Sequence, residues 1–494
     1  MLKTHTHPDA RLSVHQPAYD ESAQNSIELS TSATADIIIS NSTLGGLGTA
    51  TLPATKDDDE DLEDVDGFFA DLPPVLRGEP QDIVQHLIRE RQKASDGDVD
   101  AEKAFFVADL GSVWLQHMKW TRCLPRVQPF YAIKCNPDPY VLRLLASLGA
   151  GFDCASYGEI SRVLSIGVEP SRIIFANPCK PVSFIRNASQ LGVDMMTFDN
   201  VDELHKIARI HPTAQLVLRI LTDDSKSVCR LGLKFGATLA SVPLLLSTAK
   251  SLHLNVIGIS FHVGSGCYDP HAFMDAIERA HVAFNIGRDI GYRFNFLDIG
   301  GGFETKNFEE TAAVVERALN EYFPVEEGVR VISEPGRFYV AGAFSLAANI
   351  IARRPVMAKP STNGNADEDE PSIMYYINDG VYGSFNCILF DHQVVHPYAL
   401  TIDHEFQQYE NHAVALCSVW GPTCDSIDCV NSRVVLPSGL KIGDWIGFGD
   451  MGAYTICAAS QFNGFQESAV HYCSGTGERS RAVRKALKEY PLSK

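Results

Sequence analysis

Long uninterrupted apolar segments are absent from this chain. The longest candidate, VAGAFSLAANIIA at residues 340–352, is broken by Ser345 and Asn349, and it falls short of the roughly 18 residues that a membrane-spanning helix needs. The first residues, MLKTHTHPDARLSVH, also lack the apolar stretch of a secretory signal. We therefore expect no membrane segment and a cytoplasmic location.

Paired cysteines at CxxC spacing are absent as well. The chain has 12 cysteines, but no two of them stand three residues apart, which is the spacing typical of structural zinc sites and of thioredoxin-like redox sites. This pattern favours reduced thiols of a cytosolic protein. We expect no metal site.

Positive charge is scarce relative to negative charge. The chain has 42 Lys and Arg against 61 Asp and Glu, for a formal net charge of −19. Eight of the acidic residues lie in one run at 57–66, and the rest of the chain still carries about −11. This balance repels the phosphates of nucleic acid and an anionic membrane surface. Neither is expected to be a partner.

The composition otherwise matches a folded globular protein, with 45% hydrophobic and 21% charged residues. Tyr19 is the only aromatic residue of the first 66, so we interpret 1–72 as a disordered tail that includes the acidic run. A polar segment rich in Pro, Gly and acids predicts a flexible loop at 356–370. Residues 481–494 form a basic C-terminal tail of helical pattern.

Between residues 125 and 340 short β-branched or aromatic runs alternate with longer amphipathic stretches. Eight strand candidates can be counted: VQPFYAI (127–133), GFDCA (151–155), IIFAN (173–177), DMMTF (194–198), QLVLRI (215–220), NVIGISF (255–261), FNFLDI (294–299) and VRVIS (329–333). Eight such units favour a closed (β/α)8 TIM barrel, placed at 126–340, over an open doubly wound sheet.

After Pro371 the pattern changes to strands and turns alone, as in MYYINDG, AVALCSVW, SRVVLP and DWIGFGD. This predicts an α/β fold that ends in an antiparallel β domain, at 341–480. The lead-in segment 73–125 contains KAFFVAD (103–109), which we expect to contribute a strand to that domain.

Barrel enzymes carry their reactive residues at the C-terminal ends of the strands. Those positions hold a coherent set of polar residues: Lys134, Asp153 with Glu159, Arg230, His262, the glycines 300–302, and Glu334 followed by Pro335, Gly336 and Arg337. Three glycines let backbone N–H groups approach a phosphate, and Arg337 can add a bidentate cation. A phosphate site facing the Lys134 amine predicts pyridoxal 5′-phosphate. Glu334 would then face the ring nitrogen, and His262 would stack on the ring.

Seven motifs carry a resemblance to a known family: PFYAIKCN (129–136), GFDCAS (151–156), FHVGSGC (261–267), LDIGGGF (297–303), EPGR (334–337), GPTCD (421–425) and DMGAYT (450–455). In order and spacing the chain resembles the eukaryotic, fungal-like ornithine decarboxylases over about residues 104–472. The resemblance implies an alanine-racemase-like barrel (fold type III of the pyridoxal-phosphate enzymes) with a β domain. It also implies decarboxylation of L-ornithine to putrescine and CO2 in polyamine biosynthesis.

The same resemblance assigns roles to individual residues. Lys134 would hold the cofactor covalently; Ser265, Gly301, Gly302, Arg337 and Tyr454 would bind its phosphate, with Pro335 and Gly336 beside them; Asp153, Glu159 and Arg230 would surround Lys134. Cys424 would donate the proton that replaces the carboxylate. It further implies a homodimer in which Cys424 and Asp425 reach the partner's cofactor, with antizyme as a candidate partner.

The distal ammonium of ornithine needs carboxylates, and Asp391 and Asp425 are the candidates. Phe390 stands where many family members have Tyr, and Phe462 would line the substrate pocket. This acidic pair argues against a diaminopimelate decarboxylase, and Glu334 argues against a racemase. Two alternatives stay open: a lysine or arginine decarboxylase, because one or two methylenes change binding by only about 1–3 kcal/mol, and a non-catalytic regulator similar to antizyme inhibitors.

Overall fold

The computed structural model describes residues 68–69, 71–94, 100–356, 371–407 and 412–490. The predicted tail, its acidic run and the predicted loop at 356–370 therefore lie almost entirely outside the described residues. The domain boundaries that the sequence predicts stay predictions.

Strands and helices alternate through the first two thirds of the described chain. The strands are β1 (Val75–Leu76), β2 (Phe105–Asp109), β3 (Val127–Ala132), β4 (Gly151–Cys154), β5 (Ile173–Phe175), β6 (Met195–Phe198), β7 (Gln215–Arg219), β8 (Ser227–Cys229), β9 (Asn255–Ser260), β10 (Ser265–Cys267), β11 (Phe296–Asp298), β12 (Arg330–Ser333), β13 (Phe344–Pro355), β14 (Ile373–Ile377), β15 (Pro397–Ala399), β16 (Val414–Trp420), β17 (Cys429–Pro437), β18 (Trp445–Phe448) and β19 (Ala469–Cys473). The α-helices are α1 (Pro80–Gln92), α2 (Leu110–Cys123), α3 (Pro139–Ser147), α4 (Tyr157–Ser165), α5 (Val182–Gln190), α6 (Val201–Ile210), α7 (Val242–Ser251), α8 (His271–Ile290), α9 (Phe308–Tyr322), α10 (Arg337–Val340), α11 (Cys387–Phe390) and α12 (Gly477–Glu489). The predicted helical character of the C-terminal tail is confirmed up to Glu489.

Eight parallel strands close into a barrel in the order β11-β12-β3-β4-β5-β6-β7-β9. The first and last strands of the sequence-based count meet where Val331 of β12 pairs with Val127 of β3. The predicted (β/α)8 barrel is therefore confirmed, and each of its strands falls within one of the eight predicted segments. Two short strands outside the barrel, β8 and β10, pair antiparallel with each other.

Apolar side chains fill the interior of the barrel. One buried cluster joins residues from six of its strands, namely Phe130, Ile174, Met195, Val217, Phe296 and Ile332. Burying a side chain of this size contributes about 1.5–3 kcal/mol each. The polar residues at the strand ends consequently face a mouth whose floor is closed by packed hydrocarbon.

The second domain is built on a nine-stranded sheet in the order β1-β19-β2-β13-β14-β16-β17, with β18 on β13 and β15 on β18. The sheet-rich domain was predicted, but its purely antiparallel character was not correct. Strand β19 runs parallel to both β1 and β2, and β14 runs parallel to β16. These strands are joined by long connections rather than hairpins, which leaves parallel pairing open to them.

Within the described ranges, no helix combines the length and the apolarity that a bilayer crossing requires.

Candidate active site

Lys134 stands directly after β3, on a single helical turn over residues 133–135, and its amine forms an ion pair with the carboxylate of Asp153 on β4. The other carboxylate oxygen of Asp153, Oδ1, is buried and has no hydrogen-bond partner among the described residues. Desolvation lowers the pKa of Lys134, but the charges of Asp153 and Glu334 outweigh it and hold that pKa above its usual value. The amine therefore carries a proton that the site itself must remove.

Glu334 follows β12, and Asp298 ends the neighbouring strand β11. The two carboxyl groups are hydrogen-bonded to each other. Burial, together with the charges of Asp153 and Asp298, raises the pKa of Glu334 well above its usual value, and burial raises the pKa of Asp298 to about 7. At neutral pH the pair therefore holds a proton between two acids deep in the barrel mouth.

The glycine loop after β11 lies against the loop that carries Glu334. The backbone N–H of Glu334 donates to the carbonyl of Gly300 at 2.7 Å. Gly300 and Gly302 have φ of 64° and 107°, a region that favours glycine. A Cβ on Gly301 would lie 2.6 Å from the Glu334 carbonyl oxygen and 2.9 Å from Nε2 of His262. The neighbouring chain therefore leaves no room for a side chain at Gly301.

Arg337 begins α10 and is the cation of this loop. Its Nη2 donates to both oxygens of Asp391, at 2.8 and 2.7 Å, and lies 3.3 Å from the hydroxyl of Ser265. Its Nε lies 3.1 Å from Oε1 of Glu304. The guanidinium carbon is 5.3 Å from the ring centre of Tyr454. The arrangement concentrates donors for an anion at one side of the pocket.

His262 follows β9 and presents a neutral ring. Its Nδ1 accepts a hydrogen bond from the backbone N–H of Gly264 at 2.9 Å. Burial, with the charges of Arg219 and Lys134, lowers the pKa of His262 well below its usual value. An uncharged, flat imidazole results.

Most of the predicted cofactor residues line one pocket: Lys134, His262, Ser265, Gly301, Gly302, Glu334, Gly336, Arg337 and Tyr454. Pro335 lies between two of them, and its carbonyl accepts from the N–H of Ala132 on β3 at 3.1 Å. An adjoining cleft of about 610 Å³ shares Ser265, Glu304 and Arg337 and includes Asp391. The structure thus brings together residues that lie as far as 320 positions apart in sequence, from Lys134 to Tyr454.

The region that holds most of these pocket residues also matches a known protein family. The pyridoxal binding domain of pyridoxal-dependent decarboxylases matches residues 110–341. The chain is 50% identical to the ornithine decarboxylase of Schizosaccharomyces pombe over 396 residues, which cover 79% of this chain and 88% of that protein. The chain belongs to the ornithine decarboxylase family.

Two further relatives show the breadth of that family. Antizyme inhibitor 2 of Xenopus laevis is 52% identical over 397 residues, covering 79% of this chain and 84% of the relative. The crystal structure of the Paramecium bursaria Chlorella virus arginine decarboxylase bound to agmatine matches with a TM-score of 0.72 and 35% identity, covering 79% of this chain and all of that one. The proteins that this chain resembles therefore include an antizyme inhibitor and an arginine decarboxylase as well as ornithine decarboxylases.

The pocket fits the pyridoxal phosphate that the family implies. Beside the Lys134 amine, the buried Oδ1 of Asp153 has no hydrogen-bond partner among the described residues. The loop of Gly300, Gly301 and Gly302 packs so closely on neighbouring backbone that it carries no side chain, which leaves its backbone N–H groups as the donors for a phosphate. Arg337 and Ser265 supply donors where that surface ends. An amine, an acid pair and an anion cradle are the three features that an aldehyde, a ring nitrogen and a phosphate require.

Two predicted residues near Lys134 differ in their placement. Glu159, in the first turn of α4, accepts from the N–H of Ala155 at 2.6 Å, and burial raises its pKa. Arg230 instead pairs with Asp224 at 3.4 Å with about half of its side chain exposed, and it is not among the residues that line the pocket. Arg219, the last residue of β7, is the arginine whose charge acts on His262 and Asp298.

The predicted substrate residues divide into two groups. Asp391 lines the adjoining cleft and accepts hydrogen bonds from Arg337, whereas Phe390 beside it is 72% exposed. Asp425 and Phe462 form a separate cluster around Tyr382, close to the exposed Cys424. None of these last residues lines the pocket around Lys134 within the described chain. Three of the four predicted substrate residues, Phe390, Asp425 and Phe462, therefore line neither the pocket around Lys134 nor the adjoining cleft within the described chain.

Sequence reasoning missed four residues of the site: Arg219, Asp298, Glu304 and Tyr382. Arg219 and Asp298 are the last residues of β7 and β11, so the strand-end rule could have found them. Glu304 and Tyr382 lie in loops, which carry no periodic pattern of apolar residues.

Proposed function

We propose that this chain catalyses the pyridoxal-phosphate-dependent decarboxylation of L-ornithine to putrescine and CO2 in polyamine biosynthesis. The observation that carries the proposal is the convergence of the Lys134 amine, the Glu334–Asp298 acid pair and the Arg337 anion cradle on one pocket. All 12 cysteines are free thiols, which supports a cytoplasmic location.

Each group of residues in the pocket has its own role toward the cofactor. Lys134 would hold the aldehyde of the cofactor, and Asp153 would accept and return the proton on the Lys134 amine. Ser265, Gly301, Gly302, Arg337 and Tyr454 would hold the phosphate, with Pro335 and Gly336 shaping the loop. Glu334, backed by Asp298, would hold a proton at the ring nitrogen, and the neutral His262 would face the ring. When bound, pyridoxal phosphate supplies a ring that accepts the electrons released as CO2 leaves.

The substrate is bound by the carboxylates. Asp391 and Asp425 bind the distal ammonium of ornithine, with Phe390 and Phe462 as its apolar surroundings, and Cys424 donates the proton to Cα. Because Cys424, Asp425 and Phe462 lie outside the chain's own pocket, they act on the pocket of a partner subunit in a homodimer. Glu159 supports the Asp153 side of the site.

A regulator that binds antizyme is the second candidate, favoured by the 52% identity to antizyme inhibitor 2. Retention of Lys134, Glu334 and Arg337 in one pocket supports the enzyme over this alternative.

The test is CO2 release from carboxyl-labelled ornithine, lysine and arginine by the purified protein with pyridoxal phosphate, over a range of protein concentrations. We expect release from ornithine that falls on dilution, and none from a Lys134→Ala variant. Preferred release from lysine or arginine would correct the substrate. No release from any of the three, with cofactor bound, would overturn the enzyme and favour the regulator.

A further inference from the structure

Glu304 is an unassigned acid at the phosphate side of the pocket. It stands two positions after Gly302, at the start of the segment that leads into α9, and it is only 8% exposed. Its side chain lines the same pocket as Lys134, Gly301 and Tyr454. A buried carboxylate beside an anion cradle opposes the ligand that the cradle is built to bind.

Two acids pair with the cation of the cradle, Arg337. Oε1 of Glu304 lies 3.1 Å from Nε of Arg337, and Oδ2 of Asp391 accepts a hydrogen bond from Nη2 at 2.7 Å. One guanidinium thus faces two carboxylates, and a phosphate that enters must compete with both. The carboxylate that loses its partner would remain buried next to a dianion unless it became neutral.

The groups around Glu304 decide how readily it becomes neutral. Arg337, Asp391, Lys306, Asp450 and Tyr268 all act on it. Burial, helped by the charges of Asp391 and Asp450 and opposed by those of Arg337 and Lys306, raises the pKa of Glu304 to about 7. A proton is therefore within reach at neutral pH.

We propose that Glu304 takes up a proton when the phosphate of the cofactor binds, so that this residue sets the pH dependence of cofactor retention. The neutral acid releases Nε of Arg337 to the phosphate and removes one of two opposing charges. The phosphate in turn raises the proton affinity of Glu304. The inference rests on the pyridoxal phosphate site proposed above and is independent of the amino-acid substrate.

The test measures binding of pyridoxine 5′-phosphate to the full chain freed of cofactor. This probe has the phosphate but no aldehyde, so it does not bond to Lys134. Calorimetry at about pH 6 and about pH 8.5 compares the wild type with Glu304→Gln. Glu310→Gln, which removes an exposed acid from the first turn of α9, is the matched control. The phosphate's own titration, with a pKa near 6, is common to all three proteins.

At about pH 8.5 we expect Glu304→Gln to bind about tenfold more tightly than the wild type, because one unit of pKa coupling corresponds to a factor of ten. At about pH 6 the two should agree within about twofold, and Glu310→Gln should follow the wild type at both values. A ratio that does not change with pH overturns the proposal. Absence of binding by all three proteins at both values overturns the phosphate site as well.

A measurement on the wild type alone guards against a variant that fails to fold. Titrations near pH 7.5 in two buffers of different ionisation enthalpy give the number of protons taken up on binding. Uptake that exceeds the contribution of the probe's phosphate supports the proposal. Uptake equal to that contribution overturns it, with the phosphate site left intact.

Discussion

The hydroxyl of Tyr382 donates a hydrogen bond to a carboxylate oxygen of Asp425 at 2.5 Å. It joins the loop after β14 to the loop after β16, and the ring of Phe462 stacks on the Tyr382 ring with centres 4.2 Å apart. The hydrogen bond holds the pKa of Asp425 below its usual value. The acid proposed to bind the distal ammonium is therefore kept charged and fixed in direction by a neighbour.

Removing that hydroxyl should weaken substrate binding. We expect Tyr382→Phe to raise KM for ornithine about three- to tenfold with little change in kcat, because the variant loses a hydrogen bond to a charged group for which water competes. Steady-state kinetics check this. The control is Tyr376→Phe on β14. Among the described hydrogen bonds, the Tyr376 hydroxyl has only one, to the sulfur of Met374 at 3.9 Å. An unchanged KM in Tyr382→Phe would separate Tyr382 from the substrate.

Loss of the Cys424 thiol should affect the proton and not the cofactor. Cys424 does not line the Lys134 pocket, so Cys424→Ala should bind pyridoxal phosphate normally. We expect turnover to fall about a hundredfold, the usual contribution of a positioned acid, with altered product detectable by mass spectrometry. Cys179→Ala, another exposed thiol, serves as the control. Wild-type rate and product in Cys424→Ala would remove this residue from the reaction.

Arg219, which ends the fifth barrel strand, and Arg230, which follows it, should behave differently. Burial is the main cause of the low pKa of His262, and Arg219→Gln removes a charge that lowers it further, so the acid limb of the pH–rate profile should move to higher pH and kcat/KM should fall about tenfold. Arg230→Gln removes a half-exposed partner of Asp224 and should stay within about twofold of wild type. The reverse outcome would restore the sequence-based role of Arg230.

Closure of the barrel depends on a glycine in β9. A Cβ on Gly258 would overlap the carbonyl oxygen of Phe296 on β11, so Gly258→Ala must push two paired strands apart. We expect it to lower the free energy of unfolding by about 3 kcal/mol or more. At Gly158, in α4, the nearest atom to a new Cβ is 3.8 Å away, and Ala should be neutral or stabilising by about 0.5 kcal/mol. Denaturant titration of both variants decides, and equal stabilities would contradict the overlap.

A partly buried histidine in β19, His471, should weaken the fold in acid. Burial lowers the pKa of His471 to about 4, and its Nε2 is buried without a partner among the described residues. Between about pH 6.5 and pH 4 the unfolded chain binds the extra proton, so stability rises with pH through that window. His471→Phe should reduce the loss by about 2 kcal/mol, whereas the exposed His86→Phe should not. Parallel slopes for His471→Phe and wild type would exclude His471 as the cause.

The barrel could be predicted because its signal is local and repeated. Each strand, such as Val127–Ala132, is a short apolar run followed by a helical period, and eight repeats leave few other closed arrangements. The mixed sheet could not be predicted in this way. Its neighbours β1 and β19 come from opposite ends of the chain, and nothing in either segment specifies a partner almost 400 residues away.

The site was predictable where chemistry sits at strand ends. The strand-end rule predicts Lys134, His262 and Glu334. Applied to the last residue of β7, it points to Arg219 rather than to Arg230, which lies farther along the chain. Glu304 and Tyr382 act through loops that approach other loops. Such approaches depend on tertiary packing that spacing along the chain does not encode.

Strand β19 lies between β1 and β2 and pairs with both. During synthesis, both flanking strands leave the ribosome first. The strand between them begins only at Ala469 and is made much later. The part of the sheet between β1 and β2 is therefore completed last. Until β19 is in place, Phe105 and its neighbours in β2 lack hydrogen-bond partners on that side. Premature termination even shortly before Ala469 would leave an unsealed sheet. Folding of this sheet therefore depends on synthesis of the chain as far as Cys473.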